Sequence, residues 1–157
     1  MTKKVEFKFN SPEESPGYLL GQLTLLWQRQ QKRALDPLHL THTQFVLLAA
    51  LDWLSRDSEN VTQVDIANLG NADRMMVSKV LRTLEEKQFI SRHGHPTDTR
   101  AKVIKLTDEG AKVLQKALIA VENTDIEFFS ILGEKELSLF NTNMVNLIKE
   151  NKETTTT

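Results

Sequence analysis

The sequence predicts a mainly α-helical fold with one small β-hairpin, and three observations predict it. Apolar residues recur at three- and four-residue spacing in a series of segments. Capping residues stand at the starts of several of them. Between them, two strand-like runs, "FISRH" and "RAKVIKL", flank "GHPTDT", a loop of turn-forming residues.

The totals set the frame. A chain of 157 residues suffices for one domain with a core, or for a compact domain plus a dimerisation element. With 39% hydrophobic and 26% charged residues, it reads as globular. No apolar run approaches the roughly 20 residues that cross a bilayer. The start, "MTKKVEFKFNSPEES", lacks an apolar signal core, so a cytoplasmic location with no membrane contact is expected. The absence of cysteine excludes disulfides, thiolate metal sites and thiol redox sensing.

In chain order, "KKVEFKF" alternates apolar residues like a short strand or an extended arm. Ser15 then caps a helix with Pro16 at its first position. Leu19, Leu20, Leu23, Leu26 and Trp27 give that helix an apolar stripe to about Ala34, and Pro37 ends it. Thr41 and Gln44 form a capping box for "HTQFVLLAALDWLSR", apolar around most of its circumference and therefore buried on several sides. Thr62 and Asp65 repeat the cap before a short helix, "QVDIANL". A turn near "GNA" leads to a helix from Arg74 to about Lys87, capped by Asp73, with Val77, Leu81 and Leu84 inward. After the hairpin, Thr107 caps a long helix reaching toward Leu132, with Asp108 and Glu109 at its positive end. A last helix runs from about Glu134 to Lys149, and "NKETTTT" reads as a disordered tail.

The middle of the chain is thus helix, short helix, turn, helix, hairpin: a winged helix-turn-helix. The flanking helices carry more apolar surface than one small domain uses, which a second copy of the chain would bury. The expected division is an N-terminal arm and dimerisation helix (1–36), a winged helix-turn-helix (37–106), C-terminal dimerisation helices (107–150) and the tail (151–157). Charge is segregated to match. Thr62 to Lys105 holds eight Lys/Arg against five Asp/Glu, although the chain as a whole carries −1.

At "LTHTQFVLLAAL", "TQVDIA", "MMVSKVLRTLEEKQFI", "DTR" and "KLTDEG", in this order and spacing, the sequence resembles the multiple-antibiotic-resistance regulator (MarR) family of transcriptional regulators. The resemblance covers about Leu19 to Ile148. It implies a homodimer on pseudo-palindromic double-stranded DNA, acting mostly as a repressor and often released by a small-molecule effector bound beside the dimerisation helices.

With Val77, Leu81 and Leu84 inward, the outward face of the recognition helix offers Arg74, Met75, Ser78, Lys79 and Arg82. These side-chain types suit base edges, phosphates and the thymine methyl group. Thr62 and Gln63, at the preceding helix start, suit a phosphate. In the wing, Asp98 and Arg100 are expected on one side of the backbone, close enough to pair. The family resemblance implies that such an arginine enters the minor groove with the aspartate orienting it, where a narrow groove has enhanced negative potential. Arg92, His95 and Lys102 would add phosphate contacts. An effector crevice would draw on Tyr18, Trp27, Phe45 and Trp53, although aromatics at helical spacing more often fill core.

The sequence departs from the family pattern at Gln88, where relatives usually carry a left-handed glycine; a rearranged helix end is expected there. Met75 and Met76 are also more apolar than usual for the recognition helix. No cofactor or metal is expected, because His39/His42 and His93/His95 lie in separate segments. With no nucleophile–base set or phosphate-binding glycine loop, an enzyme is not expected either. The competing function is a winged-helix protein–protein interaction module without specific DNA binding.

Overall fold

The computed structural model describes residues 4–70 and 72–154. Residues 4–9 belong to no strand, so of the two readings the arm is the one observed. Helix α1 (Pro16–Leu35) begins where the Ser15 hydroxyl accepts the Tyr18 amide at 3.3 Å, with Pro16 in its first turn. Pro37 replaces the regular helix with a single 3-10 turn, and His39 then turns left-handed at φ 55°.

Helix α2 (His42–Ser55) opens with the predicted capping box, in which Thr41 and Gln44 exchange two hydrogen bonds of 3.1 Å. Phe45, Leu47, Leu48, Ala50 and Leu51 are buried, more than one helical face, as the all-round apolar pattern predicts. Helix α3 (Gln63–Gly70) repeats the device. The Asp65 carboxylate accepts the Thr62 amide at 2.8 Å, and the Thr62 hydroxyl accepts the Asp65 amide at 3.4 Å. The "GNA" turn contains position 71, which lies outside the described residues. Helix α4 (Arg74–Glu86) starts at the Asp73 carboxylate, which accepts the Met76 amide at 2.8 Å.

Strands β1 (Ile90–Gly94) and β2 (Lys102–Leu106) pair antiparallel, from Ile90↔Leu106 to Gly94↔Lys102. Pairing stops short of the predicted Arg100. The Asp98 carboxylate accepts the Arg100 amide at 2.9 Å and the Asp98 carbonyl accepts the Ala101 amide at 3.2 Å, holding this segment as a turn. The Ile104 amide bonds the Val61 carbonyl at 2.8 Å, and Thr62 bridges Val103. The wing is therefore tied directly to the start of α3.

Helix α5 (Asp108–Phe129) is capped by Thr107, whose hydroxyl accepts the Gly110 amide at 3.0 Å. Gly110 is needed for close approach. A Cβ there would run into the Phe89 carbonyl, 2.9 Å from its carbon, and meet a Leu106 methyl at 3.0 Å. The predicted reach to Leu132 ends in a 3-10 turn, Ser130–Leu132, and Gly133 takes φ 71°. Helix α6 (Gly133–Thr154) is longer than predicted. Residues 151–154, expected in a disordered tail, continue it, since no Gly or Pro stops the helix; the Asn151 side-chain NH2 donates to the Leu147 carbonyl at 2.7 Å. Residues 155–157 of that tail lie outside the described residues.

The end of α4 also differs from expectation. Gln88 keeps the left-handed conformation, φ 63°, rather than rearranging. The Gln88 amide bonds the Glu85 carbonyl and the Phe89 amide bonds the Leu84 carbonyl, at 2.9 and 3.0 Å. This is a Schellman cap with glutamine where glycine is favoured.

The chain forms two compact units, one ending at Val121 and one beginning at Glu122. The first holds one continuous core, including Leu35, Leu48, Leu51, Ile66, Leu81, Ile104 and Leu114. In the second, Phe129 lies edge-on to Phe128 and tilted against Phe140, at ring separations of 4.9 and 6.1 Å. Among the described residues no helix is long and apolar enough to cross a membrane.

Candidate nucleic-acid interface

Helix α4 is divided cleanly by burial. Val77, Leu81 and Leu84 are 0% exposed and seat the helix on the core. Arg74, Met75, Lys79 and Arg82 are exposed, and Ser78 is half-buried beside them. Met75, at 83%, is among the most exposed large apolar side chains of the described residues.

The wing and the first turn of α3 enclose a groove of about 590 Å³, lined by Thr62, Gln63, Arg92, His95, Arg100 and Lys102 among others. The Thr62–Val103 bridge creates it by holding the helix start against the hairpin. Seven of the residues singled out from the sequence, Asp98 included, meet here. Arg74, Lys79, Arg82, Arg100 and Lys102 make no ion pair among the described residues. Their charges are thus not spent internally.

Three wing residues have partners inside the molecule. Asp98 does not pair with the Arg100 guanidinium; its carboxylate holds the Arg100 backbone amide instead. The same-side argument assumed a strand, and these residues lie in a turn. Arg92 is half-buried, with Nε 2.9 Å from the Glu85 carboxylate of α4, an ion-pair distance without hydrogen-bond alignment. His95 organises the loop. Its Nδ1 accepts the amides of Thr97 and Asp98 at 3.2 and 3.0 Å, which leaves Nε2 for an outside partner.

Two of the four aromatics line different depressions. Tyr18 lines a depression with Phe7, Phe9 and Pro12, and Trp53 lines another with Leu54, Val61 and Leu69. Trp27 and Phe45 do approach one another through His42, with ring separations of 5.0 and 6.3 Å. Sequence reasoning also missed Lys87, whose ammonium reaches back to the start of α2; its only signal was a cation at a helix C-terminus.

Residues 40–102, from the approach to α2 to the first residue of β2, match the profile of the MarR family. The chain is also similar to YdcH of Bacillus subtilis, described as an uncharacterised HTH-type transcriptional regulator, at 43% identity over 129 residues, covering 82% of this chain and 88% of that one. The chain belongs to the MarR family. Among solved structures its fold is similar to that of the transcriptional repressor CouR bound to a 23-mer DNA duplex, with a TM-score of 0.81 and 24% identity over 92% of this chain and 99% of that one. It is also similar to S. aureus MepR in a DNA complex, with a TM-score of 0.79 and 26% identity over 87% of this chain and 98% of that one. The helix-turn-helix of this MarR-family chain, α3 and α4, therefore carries a β1–β2 wing, as predicted.

Proposed function

We propose that this MarR-family protein is a sequence-specific, double-stranded DNA-binding transcriptional regulator. It acts as a homodimer on a pseudo-palindromic operator, most simply as a repressor in the cytoplasm. The observation that carries the reading is the set of cations without internal ion pairs: Arg74, Lys79 and Arg82 on the outer face of α4, with Arg100 and Lys102 on the wing. DNA-bound relatives such as the MepR complex support it.

In this reading α4 enters the major groove, with Arg74, Ser78, Lys79 and Arg82 toward base edges and phosphates and Met75 toward a thymine methyl. Thr62 and Gln63 meet a phosphate, and Arg100 enters the minor groove from the wingtip. His95 Nε2 and Lys102 add backbone contacts; Arg92 would first have to leave Glu85. Release by a small molecule belongs to the same proposal. Of the four aromatics, Trp27 and Phe45 meet through His42 and are the pair this reading favours for the effector. A protein-interaction module would favour an apolar recognition face, which the exposed cations oppose.

The test is a titration of duplex carrying the protein's genomic site, repeated across salt concentrations. Each phosphate neutralised steepens the fall of log affinity with log salt by about 0.9. Arg100→Ala should weaken binding and flatten that slope by about one contact. Unchanged affinity and slope would rule the wing out of the interface.

A further inference from the structure

The C-terminal end of α4 is held from two sides by bonds that the DNA-facing surface does not require. On one side, Lys87 Nζ donates to the His39 carbonyl at 2.6 Å and to Gln44 Oε1 at 3.2 Å. That same Gln44 oxygen accepts the Thr41 amide in the capping box of α2. On the other side, the Thr107 hydroxyl donates to the Gln88 carbonyl at 2.6 Å and accepts the Gly110 amide in the cap of α5.

His39 and Gln88 are the non-glycine residues with positive φ among the described residues, at 55° and 63°. Each presents its carbonyl to this junction. Left-handed backbone is disfavoured at residues that carry a side chain. It persists where surrounding structure imposes it, and it gathers at functional sites.

We propose that Lys87 is a positioning residue for DNA recognition, fixing the seat of α4 against the start of α2 without touching DNA, while Gln88 and Thr107 hold the same helix end against α5. The inference rests on the DNA-binding reading above. A cation at a helix C-terminus is favourable by itself, but Lys87 spends its charge on neutral acceptors that belong to another helix start. Any shift of the α1–α2 corner therefore pulls directly on the end of the recognition helix.

The experiment compares the full-length protein with Lys87→Met, which keeps most of the stem, and Lys87→Arg, which keeps the donors. Duplex affinity, its salt slope and thermal stability are measured for each. Lys87→Met should lose roughly 3- to 30-fold in affinity, the range of long-range coupling effects, with an unchanged salt slope and a folded protein, and Lys87→Arg should recover most of the loss. A slope flattened by about 0.9 would make Lys87 a phosphate contact and overturn the proposal. Unchanged affinity, or a loss that Arg does not restore, would overturn it as well. Amide hydrogen exchange without DNA separates this from failure of the DNA-binding reading. Lys87→Met should speed exchange at Leu84–Phe89 and at Leu40–Phe45 together, and wild-type rates in both segments would overturn the node even if no duplex is bound.

Discussion

Gln88 takes the left-handed backbone that costs a side-chain-bearing residue roughly 1 kcal/mol relative to glycine. Gln88→Gly should therefore raise stability by about that amount, read as a higher denaturant midpoint at unchanged m. A lower midpoint would mean that the glutamine side chain supplies a compensating contact. At this scale residue types were legible but directions were not. The wing's "DTR" announced an aspartate beside an arginine, yet which Arg100 atom the carboxylate holds depends on whether the segment is strand or turn, and both readings fit a spacing of two. The internal role of Arg92 was not legible for a related reason. Its partner, Glu85, is on a different element, so the pair exists only once α4 and β1 are packed.

Elements were more legible, because what starts a helix is local. Ser15, Thr41, Thr62, Asp73 and Thr107 each cap the helix that the sequence placed after them. Asp73 matters most for function, since it starts the helix whose outer face carries the cations. Asp73→Ala should cost about 1 kcal/mol of stability, measured by chemical denaturation, by leaving the Met76 amide without its acceptor. No measurable cost would mean that water or a neighbouring group caps α4 equally well. Element ends were less legible. The Arg100 end of β2 is set by turn hydrogen bonds, and α6 continues through polar residues that carry no apolar period to betray a helix.

At the scale of the whole molecule, each compact unit leaves apolar surface in water. Leu19, Leu20, Leu25 and Leu26 of α1 are exposed in the first unit, and Leu139, Val145, Leu147 and Ile148 of α6 in the second. Exposed apolar surface repeated along a helix is the ordinary mark of a protein partner. The proposed homodimer supplies that partner with no second gene product. It also supplies two recognition helices, which a pseudo-palindromic operator demands. The exposed stripes were legible from amphipathic spacing in excess of one core; what an aromatic does was not, because at helical spacing it has the same signature whether it lines a pocket or fills the interior.

The most direct measurement is a stoichiometric titration of duplexes bearing two half-sites about 34–36 Å apart, followed across ionic strength. Two chains should bind each duplex as a unit, with log affinity falling linearly as log salt rises. Binding of a single chain, or an affinity indifferent to salt, would contradict a dimer that reads DNA through the cations of α4 and the wing.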